Sequence, residues 1–150
     1  MGECRDAADV LRIAADTDLS FVQLWFTDVL GMLKSFAITR SELATALAEG
    51  MGFDGSSIEG FARIEESDMV ALPDPTTFQF LPWRPRERPE ARMFCDILTT
   101  DGTPYEGDPR RALKRVLAEC AAMGYEWFVG PELEYFYFAD STAPRTLDHG

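Results

Sequence analysis

The spacing of apolar residues in the first fifty positions predicts two helices that flank a β-hairpin. Apolar residues recur at helical spacing over residues 6–15, which predicts the first helix. The β-forming run at 21–26 predicts a strand, and residues 32–38 are expected to return as its antiparallel partner. A capping-box pattern that starts at Thr39 predicts a second helix over residues 41–49.

The composition of the chain then changes before the next predicted strands. The glycine- and serine-rich segment 51–61 predicts a loop that can place small hydroxyls and a carboxylate close to a ligand. Short strands are expected at 68–73 and 93–98, on either side of a proline-rich connector. The connector contains a locally basic stretch, residues 84–92, whose composition is typical of a solvated link.

A turn-rich segment at residues 99–104 marks the boundary to a second unit. Asp108 is placed as the N-cap of a helix with one apolar face, because a proline follows it at the first helical position. Strands are expected after that helix, at residues 125–129 and 132–138.

Composition narrows the classes of function. The 150 residues carry 26 Asp and Glu against 14 Lys and Arg, a net charge of −12 that argues against nucleic acid or anionic membrane as a partner. The first residues lack the basic and apolar regions expected of a signal peptide, and no apolar run is long enough for a membrane span. Three widely spaced cysteines fit a reducing cytoplasm, and the single histidine, His149, argues against histidine acid–base catalysis within this chain.

Glu132 and Glu134 form the most informative local pattern. In a strand, alternate side chains share a face, so the two carboxylates would project together with Cα atoms roughly 6.5–7 Å apart. On a strand buried on both sides, this pair is costly unless it binds a cation, and Mg²⁺ or Mn²⁺ suits carboxylate oxygens. The spacing could serve two adjacent ions with one ligand each. The alternative is an edge strand on which both glutamates are solvated.

Asp54, followed by Ser56 and Ser57, is the second candidate. A loop carboxylate can hold a cation or an ammonium group through charge-assisted hydrogen bonds, and it can take a proton from a bound amine. The alternative is an Asx-type turn, in which Asp54 bonds the backbone near Gly55. The chain has no P-loop, no GxGxxG pattern and no GxSxG nucleophile elbow.

Several motifs, in matching order and spacing, resemble the N-terminal part of a type I glutamine synthetase over roughly residues 19–140. They are Phe-Asp-Gly-Ser-Ser-Ile at 53–58, Glu-Ser-Asp-Met-Val at 66–70, Pro-Asp at 73–74, Cys-Asp-Ile at 95–97, Asp-Pro-Arg at 108–110 and Gly-Pro-Glu-Leu-Glu-Tyr-Phe at 130–136. The resemblance implies an α+β fold. A β-grasp-like N-terminal domain over residues 1–100 would precede the truncated start of the catalytic α/β domain over residues 101–150.

The resemblance also implies an activity. Enzymes of this family form glutamine from glutamate, ammonia and ATP through γ-glutamyl phosphate, with two Mg²⁺ or Mn²⁺ ions in the site. Glu132 and Glu134 would each bind one ion. Asp54, with Ser57 nearby, would bind ammonium in the neighbouring subunit's site and take its proton, and Asp68 matches an acidic position near that interface. The family assembles in stacked rings, commonly dodecamers, with active sites between subunits.

Departures from the family pattern leave alternatives open. Glu59 and Phe61 occupy part of a run that is often Gly-Gly-Trp, and Leu133 stands where proline is common. A relative that joins a polyamine or ethanolamine to glutamate is one alternative, and a non-catalytic β-grasp module for binding or assembly is another. The family's remaining metal ligands, ATP site and glutamate-binding arginines fall beyond Gly150. We therefore expect no ligase activity from residues 1–150 alone.

Overall fold

A mixed β-sheet with helices on one face forms the centre of the molecule. The computed structural model describes residues 4–57, 68–85, 87–138 and 140–142. In chain order the helices and strands are α1 (Ala7–Asp16), β1 (Phe21–Thr27), β2 (Leu33–Thr39), α2 (Leu43–Glu49), β3 (Met51–Asp54), β4 (Asp68–Pro73), β5 (Gln79–Phe80), β6 (Glu90–Thr99) and α3 (Pro109–Ala122). Short 3-10 turns lie at Arg40–Glu42, Gly55–Ser57 and Pro75–Thr77.

The strands are ordered β2-β1-β6-β4-β3, and β5 pairs with β6 on the side of β4. β1 and β6 run parallel at the centre, with Phe21 opposite Glu90 and Trp25 opposite Phe94. The other pairs are antiparallel. β2 and β3 lie at opposite ends of this order, so the connection through α2 carries the chain from one edge of the sheet to the other.

Strict alternation along the central strands produces one buried face. Every second residue of β1 and β6 is buried, while the residues between them are half-exposed. The buried set joins residues of α1 and α2 in one core: Val22, Leu24, Phe26, Ala91, Met93, Cys95, Ile97, Val10, Ala14, Leu43 and Ala46. Each fully buried large apolar side chain of this set contributes about 1.5–3 kcal/mol.

Side-chain hydrogen bonds mark the start of α1 and the start of the 3-10 turn Arg40–Glu42 that leads into α2. The Asp6 carboxylate accepts the N–H of Asp9 at 2.9 Å and so caps α1. Glu42 accepts the backbone N–H of Thr39 at 2.8 Å, which confirms the capping box. These bonds satisfy donors that have no partner inside the helix. The predicted helices and strands over residues 6–49 are confirmed to within about two residues at each boundary.

The predicted loop at residues 51–61 is wrong for its first four residues. They form β3, which pairs with β4 so that Gly52 lies opposite Val70 and Asp54 lies opposite Asp68. Local composition favours a loop here, but the ladder with β4 supplies partners for the backbone and decides the conformation. Residues 58–61, with Glu59 and Phe61, lie outside the described part of the chain.

The predicted strands at residues 125–129 and 132–138 are also not formed. Apart from an isolated bridge at Phe138, residues 125–138 have no ladder partner and are exposed. A strand requires a neighbour that accepts and donates its backbone hydrogen bonds, and the described residues provide none for this segment. The preceding helix α3 likewise has no buried residue, and its Leu113 and Val116 are 57% and 56% exposed.

The described helices include none with the length and apolar character that a membrane span needs.

Candidate functional site

Asp54 lies where β3 ends and the chain enters the turn Gly55–Ser57. Its Oδ1 accepts the N–H of Ser56 at 2.9 Å, which is an Asx-type bond of the kind left open as an alternative. The residue is nevertheless exposed, so the bond fixes a carboxylate that still faces solvent. The side chain of Ser57 lies outside the described part of the chain.

Asp68, the first residue of β4, is the cross-strand partner of Asp54. Directly opposed residues of an antiparallel pair point to the same face, with Cβ atoms about 4.5–5.5 Å apart. Both residues are exposed, so two carboxylates lie side by side at one end of the sheet. This geometry concentrates negative charge where a cation could approach from solvent.

Three phenylalanines hold this end of β3 in place. The Phe53 ring lies 4.8 Å from the ring of Phe26 in β1 and 5.8 Å from the ring of Phe36 in β2, measured between centroids. β3 and β2 are at opposite ends of the strand order, so these contacts require a curled sheet. Because Asp54 follows Phe53 directly, its backbone is anchored beside the β1–β2 hairpin.

The tip of that hairpin is organised by a buried carboxylate. Asp28 is 5% exposed and accepts the N–H groups of Met32 and Leu30 at 2.8 and 2.9 Å, with Lys34 at 3.6 Å. The backbone bond from Met32 is the main cause that keeps the pKa of Asp28 below its ordinary value. Gly31 completes the turn at a φ of +83°, a conformation that favours glycine.

Glu132 and Glu134 lie on the exposed segment that follows α3, so the prediction of a strand buried on both sides is wrong. The alternation expected of extended backbone is nevertheless visible next to them. The rings of Tyr135 and Tyr137 are 5.3 Å apart with hydroxyls at 3.4 Å, so these two side chains share one side.

No group of three or more His, Cys, Asp or Glu side chains close enough to hold a metal occurs in the part of the chain that the structure describes. Glu132 and Glu134 are therefore not brought together with Asp54 or Asp68 into a single cluster. The donors that these residues offer are carboxylate oxygens, which match the preference of Mg²⁺ and Mn²⁺. They fit such ions chemically but supply only part of a coordination shell.

A charged cluster at the start of α3 was not predicted. Arg110 contacts Asp74 through Nη2 at 2.6 Å and Asp96 through Nη1 at 2.7 Å. Lys114 contacts the other oxygen of Asp96 at 2.6 Å. Arg110 lies 14 positions from Asp96 and 36 positions from Asp74 in the sequence. Local patterns therefore show only a capped helix start, and the cluster becomes visible only in the folded structure.

Asp108 connects the same helix start to the sheet. One carboxylate oxygen accepts the N–H of Arg110 at 2.9 Å, which caps α3, and the other accepts the buried N–H of Ile97 at 3.1 Å. Asp108 is only 2% exposed. A buried carboxylate is costly unless its oxygens are bonded, and here both oxygens have backbone partners.

Comparison with known proteins identifies the family. Residues 18–100 match the family model described as glutamine synthetase, beta-Grasp domain, and residues 106–148 match the model described as glutamine synthetase, catalytic domain. The chain therefore belongs to the glutamine synthetase family, and its α+β fold is the β-grasp domain of that family followed by a segment of the catalytic domain.

Relatives and solved structures agree with this assignment. The chain is 52% identical to a glutamine synthetase of Mycolicibacterium smegmatis over 147 residues, covering 94% of this chain and 33% of the relative. It is 48% identical to one of Methanosarcina mazei over 138 residues, covering 92% and 31%. It thus spans about a third of the length of the curated relatives it matches.

Among solved structures, one titled "GmaS/ADP complex-Conformation 1" is 30% identical with a TM-score of 0.67, over 75% of this chain and 25% of that one. A cryo-EM structure of Plasmodium falciparum glutamine synthetase has a TM-score of 0.71 at 23% identity, over 82% of this chain and 24% of that one. The second likeness shows the fold alone.

Proposed function

We propose that this chain supplies the N-terminal part of a glutamate–ammonia ligase, which forms glutamine from glutamate, ammonia and ATP through γ-glutamyl phosphate. Family membership supports the reaction class. The observation that carries the proposal is the pair Asp54 and Asp68, two exposed carboxylates held side by side at a fixed end of the sheet. In this proposal residues 1–100 form the β-grasp domain and residues 101–150 begin the catalytic domain.

Asp54 is proposed to bind ammonium and to accept its proton. Ammonium offers only N–H donors, so it needs acceptors, and an anionic carboxylate anchored by the Ser56 N–H is a suitable one. Transfer of one proton from ammonium to Asp54 leaves neutral ammonia with a free electron pair. Ammonia then attacks the carbonyl carbon of γ-glutamyl phosphate, the C–O bond to phosphate breaks, and phosphate leaves with one proton from the attacking nitrogen. Ser57 is proposed to lie near the bound ammonium.

The proposal places Asp54 in the site of a neighbouring subunit. Asp54 and Asp68 project from the end of the sheet into solvent, where a second copy could meet them. This position supports assembly into rings with active sites between subunits, and a dodecamer is the assembly we propose for the complete protein.

Glu132 and Glu134 are proposed as ligands of two Mg²⁺ or Mn²⁺ ions, one ligand for each ion. Their alternate positions on extended backbone would direct both carboxylates to one side, as the neighbouring tyrosines do. When bound, these ions would neutralise phosphate charge of ATP and of the acyl phosphate. The role of the two glutamates is to hold the ions at a fixed spacing.

A reducing cytoplasm is the compartment we propose. Cys4, Cys95 and Cys120 are all unpaired. Burial raises the pKa of Cys95 to about 12, so its thiol stays protonated at neutral pH.

A chimera tests the proposed reaction. Residues 1–142 of this chain would replace the matching part of the Mycolicibacterium smegmatis relative, and glutamine formation would be measured with ammonium, ethanolamine and a polyamine. We expect ATP-dependent turnover with ammonium. Asp54→Asn, which keeps an acceptor for the Ser56 N–H, should lower kcat/KM for ammonium at least ~100-fold. Asp16→Asn, an exposed change on α1, is the matched control.

Two outcomes would contradict the proposal. An assembled chimera that prefers another amine would identify a different ligase, and one without any turnover would favour a binding module.

The metal ligands are tested separately by Mn²⁺ titration of residues 1–150. Weak binding should be lost in Glu132→Gln/Glu134→Gln and kept in Glu126→Gln, an exposed glutamate of the same segment. Equal binding by the double variant would exclude the assignment.

A further inference from the structure

Helix α3 is held to the sheet by polar bonds rather than by an apolar interface. None of its residues is buried, although Leu113, Val116 and Leu117 form an apolar face. Within the described residues α3 therefore gains little from packing, and polar bonds tie it to the sheet. These bonds lie in its first two turns: Arg110 contacts Asp74 and Asp96, and Lys114 contacts Asp96.

Arg110 joins α3 to two separate strands. Asp74 follows β4, Asp96 lies within β6, and the guanidinium group contacts one oxygen of each at 2.6 and 2.7 Å. Asp96 is also the register partner of Leu72 in β4, so the bridge crosses the β4–β6 ladder near its end. Arg110 and Asp74 are partly buried, with side chains 23% and 20% exposed. Two contacts at fixed angles restrain rotation as well as distance, because guanidinium is planar.

We propose that Arg110 is a positioning residue. By bridging Asp74 and Asp96 it fixes the direction in which α3 leaves the sheet that carries Asp54. The segment with Glu132 and Glu134 follows α3 directly, so the same bridge sets where that segment starts. This consequence rests on the proposed function, in which Asp54 acts in the active site of a neighbouring subunit. Glu132 and Glu134 bind metal ions in the active site of their own subunit.

The neighbouring arginines do not share this role. Arg111 contacts Glu106 at 2.8 Å and Arg115 contacts the same carboxylate at 3.9 Å. Glu106 lies in the connection between β6 and α3, so these pairs do not reach the sheet strands. Arg115 is on the same helix, carries the same charge and is 62% exposed, which makes it a matched control.

Hydrogen exchange of residues 1–150, resolved by peptide, tests the bridge without metal or turnover. We expect Arg110→Gln to speed amide exchange over residues 112–122 at least tenfold while β1 and β6 stay protected. Arg115→Gln should leave α3 as in the parent chain. Arg110→Lys should restore part of the protection, because an ammonium group keeps the positive charge but lacks the planar fork that presents two oriented donors. Asp74→Asn combined with Arg110→Gln should add nothing to Arg110→Gln alone.

Unchanged exchange over α3 in Arg110→Gln would overturn the proposal. Faster exchange throughout the sheet would also overturn it, since Arg110 would then serve general stability rather than the direction of α3. In the chimera, Arg110→Gln should lower kcat several-fold with partial recovery in Arg110→Lys. Glutamine formation that is insensitive to Arg110 would refute the positioning role and leave the proposed reaction intact. A chimera inactive with Arg110 in place would contradict the reaction and not the bridge.

Discussion

Asp54 lies directly opposite Asp68 in the register of β3 and β4, so two carboxylates of like charge share one face of the sheet. Like charges at such positions destabilise an antiparallel pair. This destabilising repulsion lies at the point where we propose that a cation is bound. Removing one charge should therefore stabilise the chain and impair the proposed site.

Asp68→Asn tests the cost of the acidic pair. We expect the free energy of unfolding at pH 7 to rise by about 0.5 kcal/mol, because the repulsion disappears while the shape of the side chain is kept. Urea unfolding followed by circular dichroism measures the change. The gain should shrink in 1 M NaCl, where screening weakens the repulsion. A loss of stability would show that Asp68 makes a favourable interaction instead.

Gly50, which directly precedes β3, and Gly31, in the turn between β1 and β2, form a matched pair of substitution sites. Both have positive φ, +78° and +83°, but a Cβ at Gly50 would lie 2.4 Å from Val70 Cγ1, whereas a Cβ at Gly31 meets nothing within 4 Å. Gly31→Ala should cost about 1 kcal/mol through backbone strain alone. Gly50→Ala should cost about 3 kcal/mol, since strain and the clash add. Equal losses in urea unfolding would show that β3 shifts freely.

Val70→Ala in the Gly50→Ala background separates the two causes. It removes the methyl group that the new Cβ would meet, so the double variant should lose less than the sum of the single changes. Strict additivity would show that the clash with the Val70 methyl group does not contribute to the loss.

Local sequence predicts the elements whose conformation is decided locally. The strand predicted at residues 68–73 is confirmed, because its apolar run between Asp68 and Pro73 is visible in the sequence. β3 was missed because its conformation depends on pairing with β4, and a glycine-rich run carries no sign of that partner. The strand expected at 132–138 fails for the complementary reason, since its alternation is present but the described residues offer no neighbour.

The candidate site likewise combines residues that sequence motifs identify with contacts that only the fold creates. Asp54, Ser57, Glu132 and Glu134 were selected by motif and remain predictions. The opposition of Asp54 to Asp68 follows from strand register, which residue types alone do not determine. The bridge from Arg110 to Asp74 joins positions 36 residues apart, so only the assembled sheet reveals it.

Asp108 connects α3 to β6, and its substitution tests this connection. Asp108→Ala removes the cap of α3, worth about 1 kcal/mol, and leaves the buried Ile97 N–H without its acceptor, worth about 1–3 kcal/mol. We expect a total loss of about 2–4 kcal/mol in urea unfolding. Asp108→Asn should lose about half as much, because its single carbonyl oxygen cannot replace both carboxylate oxygens. A change within about 0.5 kcal/mol for Asp108→Ala would contradict the dual role.

Acid should weaken the chain through Asp74. Burial raises the pKa of this carboxyl, but hydrogen bonds from Thr76 and Arg110 outweigh burial, so its pKa lies below the ordinary value of 3.8. A carboxyl whose pKa is lowered in the folded state stabilises that state above the unfolded value. The contribution is lost as pH falls through the folded value. The loss therefore belongs to the region below about pH 4, and none is expected between pH 5 and 8 from this group.

A double-mutant cycle across pH assigns that loss to the bridge. Asp74→Asn and Arg110→Gln should each reduce the fall in unfolding free energy between pH 5 and pH 2.5. Asp74→Asn removes the titrating carboxyl itself, and Arg110→Gln removes a partner that lowers its pKa. Combining them should flatten the curve by less than the sum of the two single effects, and their coupling at pH 7 should decline as pH falls below about 4. Coupling that does not decline below about pH 4 would show that the interaction does not depend on the ionised carboxylate.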